Sequence, residues 1–447
     1  MSKRAKVGFI FAIALSIAWL AWFYIARERL QAKLDGLTSR HEPVHFSDLD
    51  FSPIPDKENA AFYYQSAIAA VSTTAISPSA SNFTFPNHPP YSAAWQQMVD
   101  QAVAADQQSL SLARRAQNLD RADWGTRLPP SGAFLFPVPL HSLNDARNLA
   151  NLLSDGARQS HSHGDDVEAL QRIFDVLHLA DTVQQRGFLV GRLVAIGIQA
   201  LAIDSIQILA TDIQLLPNRP AVTKLIRQLL DEKKARDARS EMARYEYLLV
   251  LDDAFMLADH STVLRPMIDL GIARTIENIT QFQNACLQTN WPAAQAILGQ
   301  PPIIAFTVPA LPDPNAPRSS RFVDLTFGFR SDDRYLLTEF RVSALARIAG
   351  VSLAVNLYHA DHHRWPVNLQ SLVPIYLQAV PDDPFYATPH PIGYMLFDGS
   401  RPLLFCDTSG TPLASSPPAT PIFGWNNNTG TRQWCDVTNW WQKPTPH

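Results

Sequence analysis

The sequence is poor in the residues and motifs on which several large enzyme classes depend. Its 447 residues include only 18 glycines and 3 cysteines. Neither the G-x-G-x-x-G turn of dinucleotide-binding folds nor the G-x-x-x-x-G-K-[ST] loop of P-loop proteins occurs. The G-x-S-x-G elbow of α/β-hydrolases is missing too. The sequence therefore gives no support to a nucleotide-dependent enzyme or a serine hydrolase, and it predicts no cofactor.

A positive charge excess is also lacking. Lys and Arg number 37 against 41 Asp and Glu, so the formal net charge is −4, and the basic residues are scattered. This balance argues against nucleic acid as a partner, because binding to phosphates depends on clustered positive charge.

Cysteine is too scarce for a disulfide framework. Cys406 and Cys435 lie 29 residues apart in a tail rich in Pro and Asn, and they can pair if the body is exported. The sequence is equally compatible with both cysteines being free, buried thiols. His and Cys neighbours at metal-binding spacing are missing, so the two cysteines do not indicate a zinc site.

One long apolar run stands at the N-terminus. It begins at Val7, ends at Ala26 and contains no charged residue. Twenty residues at helical rise span a bilayer core of about 30 Å. The run ends in aromatic residues rather than a small-residue cleavage site, which favours a retained anchor over a removable signal peptide. The sequence therefore predicts a membrane partner and a single-pass protein.

The charges that flank this run nearly balance, with three basic residues before it and four in the stretch from Arg27 to Arg40. A lone N-terminal anchor with a long following domain favours a body outside the cytoplasmic membrane. A cytoplasmic body is the alternative.

The pattern beyond the anchor predicts a mainly α protein with an irregular helical-hairpin body and a small α+β C-terminal segment. Within the body it predicts one long helix over 93–119, and within the C-terminal segment two short strands, 394–397 and 403–406, around an Asp-Gly turn. We divide it into an anchor and stalk (1–40), a helical domain (41–300), a Pro-rich linker (301–332) and an α+β segment with an aromatic and Asn-rich tail (333–447). Gly164 and Asp165 resemble the turn of a tetratricopeptide-type repeat, with Gly ending one helix and Asp capping the next. The apolar stretch 193–203 is too short to span a membrane, so we expect a buried helix there.

A pattern in the C-terminal part carries a family resemblance. A long helix is followed by a Trp-Pro pair, spaced leucines, two Val-Pro pairs and Asp-Pro-Phe; its residues are Tyr358, Asp361, Trp365, Pro366, Leu369, Leu372, Val373, Pro374, Tyr376, Leu377, Val380, Pro381, Asp383, Pro384 and Phe385. This segment resembles the C-terminal part of type II secretion pseudopilins. It resembles still more a set of uncharacterised bacterial membrane-anchored proteins, whose helical region also opens with an E-N-A-A stretch, here 58–61.

The resemblance implies a pseudopilin-like fold at the C-terminus and a bacterial cytoplasmic (inner) membrane, with the body on the periplasmic or outer side. It does not imply a polymerising pilin, because Gly8-Phe9 is not followed by the Glu of prepilin-type proteins. It does not carry over a calcium site either, because Asp407 and Asp436 stand isolated.

Few residues are candidates for chemistry. His359 and His363 share a helix face and suit a metal ion, although a nearby glutamate base is missing. The adjacent pairs Asp252-Asp253 and Asp382-Asp383 do not face each other on a helix. The tail tryptophans Trp425, Trp434, Trp440 and Trp441 suit either a carbohydrate surface or a small aromatic core.

Three functions remain compatible with these observations. The leading prediction is a non-enzymatic interaction or scaffold protein, tethered to the membrane of the bacterial cell envelope and binding an unknown protein partner. A metal-dependent hydrolase that uses His359 and His363 is the first alternative. An accessory component of a secretion or pilus system, based on the resemblance, is the second.

Overall fold

The computed structural model describes most of the chain, namely residues 3–50, 52–81, 89–125, 140–259, 262–299, 307–309, 322–324, 332–397, 401–406 and 433–436. Within these ranges the protein is mainly helical, as predicted. The predicted tail after residue 406 lies outside the described residues, apart from 433–436.

The helices, numbered in chain order, are α1 Lys3–Ser39, α2 Ala60–Ala69, α3 Ala93–Ala105, α4 Gln107–Ala116, α5 Leu140–Ser162, α6 Asp166–Val183, α7 Leu189–Leu209, α8 Arg219–Leu229, α9 Glu232–Asp259, α10 Arg265–Cys286, α11 Trp291–Leu298 and α12 Asp332–His362. The strands are β1 Thr307–Pro309, β2 Phe322–Asp324, β3 Gly393–Phe397, β4 Arg401–Cys406 and β5 Gln433–Asp436.

The larger of two main cores joins the middle of the chain to its C-terminal part. Helices α5, α6 and α7 pack on one another in sequence order, and α12 packs on α7 and α8. Gly350 allows the close approach of α12 to α8, because a Cβ there would stand 3.1 Å from the side chain of Leu230. The predicted segments 41–300 and 333–447 therefore share this core.

Within the part of the chain that the structure describes, three helices are long and apolar enough to cross a membrane: α1, α7 and α12. Their surroundings differ. Only 6% of the apolar window of α1 is buried against protein, compared with 50% for α7 and 83% for α12. Helix α7 thus packs into the core around the stretch for which the sequence predicts a buried helix. The apolar composition of α12 is explained in the same way.

The turn between α5 and α6 has the predicted form. Gly164 has a φ of +81°, a left-handed conformation that glycine adopts without a Cβ clash. The Asp165 carboxylate then accepts a hydrogen bond from the backbone N–H of Glu168 at 3.0 Å and caps α6.

A second core holds the stalk, the part of α1 that follows the apolar run. Ala26, Leu30 and Leu37 face inward and are at most 6% exposed. Leu30 and Leu37 belong to one apolar cluster with residues of α9 and α10, among them Leu251 and Ile276, and α1 packs directly on α10. The stalk is therefore part of the folded body rather than a free tether.

The connector after the stalk is fixed to α9 by one carboxylate. Asp252 accepts hydrogen bonds from the His45 ring at 2.8 Å and from the backbone N–H of Phe46 at 2.9 Å. Asp253 points elsewhere, and burial together with the charge of Asp252 raises its pKa to about 6. The two adjacent carboxylates thus have different surroundings, in line with the expectation that they do not form a catalytic pair.

The raised pKa of Asp253 predicts a pH dependence of stability. The folded state holds the proton of the Asp253 carboxyl more tightly than the unfolded chain does, because the pKa of Asp253 in the unfolded chain is near 3.8. The contribution of Asp253 to stability should therefore fall as pH rises from about 4 to about 6 and stay constant above that range. We expect Asp253→Asn to reduce this fall and to raise the unfolding temperature at pH 7.

Thermal unfolding followed by circular dichroism at pH 4.5 and pH 7 measures this effect. Asp252→Asn is the companion variant: it weakens the bonds to His45 and Phe46 and should lower the unfolding temperature at pH 7. Because it also removes a charge that raises the pKa of Asp253, it should make the fall with pH smaller. The same pH dependence in Asp253→Asn as in the unaltered chain would contradict the assignment.

The C-terminal part forms a small antiparallel sheet. The predicted hairpin is present, with β3 paired to β4 so that Phe397 stands opposite Arg401. A third strand, β5, pairs with β4 and places Cys435 opposite Leu404. Cys406 is buried, whereas the side chain of Cys435 lies outside the described residues, so their disulfide stays a prediction.

The strands β1 and β2 form a short antiparallel ladder inside the predicted Pro-rich linker 301–332. The sequence did not reveal them, because three residues are too few for an alternating pattern to be recognised. The rest of that linker lies outside the described residues.

Candidate binding cleft

A cleft of about 640 Å³ opens between the end of α6 and the start of α9, and many of the residues that line it are charged. We call it the α6–α9 cleft. One edge is the extended segment 120–122, and acidic and basic side chains alternate around the mouth. The charged residues that line it are Asp120, Arg121, Asp181, Arg186, Asp231, Lys233, Lys234, Asp237 and Glu241.

Two amide side chains fix the edge of the cleft. Gln185 accepts a hydrogen bond from the N–H of Ala122 at 2.8 Å and donates to the carbonyl of Asp120 at 2.9 Å. Asn59 exchanges two hydrogen bonds with the backbone of Asp123, at 2.8 and 2.9 Å, and also caps α2. This buried asparagine belongs to the E-N-A-A stretch, which gives that motif a physical role.

An ion pair crosses the cleft. The Lys234 ammonium on α9 lies 2.5 Å from the Asp181 carboxylate on α6. Both residues also line a smaller inner pocket of about 60 Å³. The pair therefore stands between the open mouth and the protein interior. Because Lys234 is about half exposed, it can be displaced at little energetic cost.

The inner pocket ends at a buried ion pair between α7 and α12. The Arg192 guanidinium donates to both oxygens of Glu339, with the second contact at 2.7 Å, and it also donates to the side-chain oxygen of Gln184. The Tyr335 hydroxyl donates to Glu339 at 2.6 Å. Burial alone would raise the pKa of Glu339, but the charge and hydrogen bonds of Arg192, the charge of Arg239 and the bond from Tyr335 together hold that pKa below its ordinary value.

Two further arginines beside the inner pocket are held in place. Arg239 lies 5.0 Å from the ring centroid of Phe340 and donates to the carbonyls of Cys286 and Gln288, both at 3.1 Å. Arg347 pairs with Glu232 at 3.1 Å. These contacts show that the positive charges behind the cleft join α9 to α12.

His178 is the histidine of the cleft, and both ring nitrogens are engaged. Nε2 donates to the carbonyl of Leu119 at 3.0 Å, since a carbonyl can only accept. Nδ1 is then an acceptor, and it lies 2.8 Å from the Tyr64 hydroxyl. Burial lowers the pKa of His178, so the ring is neutral at pH 7. A ring held in this way positions α6 rather than acting as a general base.

The predicted metal ligands His359 and His363 stay a prediction, and in the structure each has other surroundings as well. The His359 ring stacks on Trp365, with centroids 3.8 Å apart, and His363 follows the end of α12 with a φ of +54°. Asp361 instead accepts hydrogen bonds from Arg219 and from the Tyr376 hydroxyl. Across the described residues, no group of three or more His, Cys, Asp or Glu is arranged to hold a metal ion.

A second metal-like pattern follows the stalk. Residues 41–45 read His-Glu-Pro-Val-His, which matches H-E-x-x-H in letters. That motif binds zinc only where a helix places both histidines on one face. Here α1 has already ended at Ser39, His41 has a φ of +57°, and His45 is bonded to Asp252. The pattern therefore lacks the conformation that the chemistry needs.

The remaining predicted site lies outside the described residues. Trp425, Trp440 and Trp441 are not described, and for Trp434 only the backbone in β5 is described. No protein family model, curated protein or solved structure matches this chain. The resemblance to pseudopilins stays a prediction.

Proposed function

We propose that this chain is a membrane-anchored, non-enzymatic interaction protein of the bacterial cell envelope. Its single span would cross the inner membrane, with the body on the outer side. One observation carries the proposal: only 6% of the apolar window of α1 is buried against protein, yet the stalk that continues the same helix packs into the body. A helix built in this way holds a folded body at a fixed place on a membrane.

The α6–α9 cleft is the surface that we assign to a partner. Its mixed charges suit a polypeptide segment that presents both signs, and its side chains hang on a rigid helical frame. Glu339 and Arg192 of the inner pocket bond to each other, and Glu339 also accepts from Tyr335. His178 of the cleft donates to the backbone carbonyl of Leu119. This satisfied network favours binding over catalysis.

A narrower form of the proposal places the protein in a secretion or pilus system. Its support is the pattern of residues that ends at Phe385, together with the order of elements in which α12 is followed by an antiparallel sheet. The identity of a captured partner separates the two forms.

Photo-crosslinking in the native host tests the proposed function. A photoreactive residue at Lys233, which is 77% exposed at the mouth of the cleft, should give one defined higher-mass product in the membrane fraction. The same photoreactive residue in place of Gln108, which is exposed on α4, should give no such product.

A charge reversal sharpens the test. Lys234→Glu places an unpaired negative charge opposite Asp181 and should reduce the product severalfold. Lys224→Glu is the matched control, because Lys224 lies over the ring of Phe174 outside the cleft. Three results would overturn the assignment of the cleft: equal crosslinked product from positions 233 and 108, no product from position 233, or an unchanged amount of product in Lys234→Glu.

A further inference from the structure

The turn between α9 and α10 touches the apolar run of α1. The indole N–H of Trp19 donates a hydrogen bond to the backbone carbonyl of Val263 at 3.2 Å. Ala26 ends the apolar run and lies seven residues after Trp19. This separation corresponds to about 10 Å along the helix axis. A contact on the body thus reaches well into the segment that the membrane should cover.

Helix α10 runs beside α1 in a fixed register. Farther from the membrane, Lys33 of the stalk pairs with Glu277 of α10 at 2.7 Å. Fourteen residues separate the two contact points in each segment, from Trp19 to Lys33 within α1 and from Val263, two residues before α10, to Glu277 within α10. The equal spacing shows that the two helices are parallel and lie side by side, so Val263 stands at the height of Trp19.

The apolar run cannot shift to bring this contact out of the lipid. A bilayer core of about 30 Å needs about 20 helical residues, which is the whole length of the run. From Val7 to Trp19 the helix covers only about 18 Å. Lys6 and Arg4 precede Val7, so moving the helix would draw charges into the bilayer.

The composition of the turn suits this position. The Val263 side chain is 74% exposed, and Leu264 beside it is half-buried. At the base of the turn, Arg265 pairs with Asp269 at 2.8 Å and with Asp259 at 3.2 Å. Val263 is thus an exposed apolar side chain near one arginine and two aspartates, and an exposed apolar side chain at this height can enter the interface of a bilayer.

We propose that Val263 and Leu264 insert into the near leaflet of the same bilayer that α1 spans, as a second contact between the body and the lipid. This inference rests on the proposed function, because it requires α1 to cross the membrane. It adds that the body sits directly on the lipid and has one orientation relative to it.

Depth-dependent fluorescence quenching tests the inference in the full chain. The native cysteines are replaced by alanine, and an environment-sensitive dye is attached to a single new cysteine in nanodiscs of phosphatidylcholine and phosphatidylglycerol. The test position is Val263→Cys. Ile17→Cys marks the span, and Val167→Cys, a valine of similar exposure at 69% on α6, marks the water-facing body.

We expect the dye at position 263 to be quenched by lipids that carry a spin label on the acyl chain, as at position 17. The dye at position 167 should respond to aqueous iodide instead. Iodide quenching at 263 equal to that at 167, with position 17 still protected, would overturn the inference alone. Iodide access at position 17, or a chain that does not co-elute with the nanodiscs, would overturn both the inference and the proposed anchor.

Discussion

Glu339→Leu is expected to lower the free energy of unfolding by about 3–5 kcal/mol, the cost of leaving one partner of a buried ion pair without the other. Arg192 is 4% exposed and cannot lose its proton, so its charge would remain in the core. Arg192→Met should cost less, because the Glu339 carboxyl can take up a proton.

The double variant separates this charge effect from simple loss of packing. Arg192→Met with Glu339→Leu removes both charges and should be more stable than Glu339→Leu alone. Denaturant unfolding of the full chain in detergent micelles measures all three. A double variant as unstable as the sum of the two single variants would show that the ion pair is not a coupled unit.

Leu37→Ala is expected to release the stalk from the body. Leu37 is 1% exposed, and truncating such a leucine costs about 2–4 kcal/mol. The loss should be local to the second core. Hydrogen exchange should therefore show weakened protection in α9 and α10, with α5, α6 and α7 unchanged.

Arg29→Ala is the matched control for this prediction, because Arg29 lies exposed on the same helix, one residue from Leu30. Its effect should remain within about 0.5 kcal/mol. Unchanged protection of α10 in Leu37→Ala would mean that the stalk is not part of the second core.

The features that the sequence predicts well are local ones. The apolar run, the Gly164 turn and the β3–β4 hairpin each rest on neighbouring residues whose conformational preferences agree. The break between α3 and α4 was missed, since the sequence predicts one helix there. Its cause is distant: the Asp106 carboxylate accepts a hydrogen bond from the N–H of Ser72 at 2.6 Å.

The cleft could not be predicted, because the residues that build it are far apart in the chain. Arg192 and Glu339 are separated by 147 positions, and Lys234 and Asp181 by 53. Neither pair belongs to a spacing motif. Residues 41–45 show the converse, because a short motif is complete in letters there but lacks the helix that its chemistry needs.

We expect the stalk to hold the body rigidly on the membrane. A distance measurement by pulsed electron paramagnetic resonance tests it most directly, with spin labels at Arg29→Cys on the stalk and Lys233→Cys at the cleft in a chain that lacks its native cysteines. In nanodiscs that retain the protein, the docked stalk predicts one narrow distribution of distances. A broad distribution, as a flexible tether gives, would contradict the account.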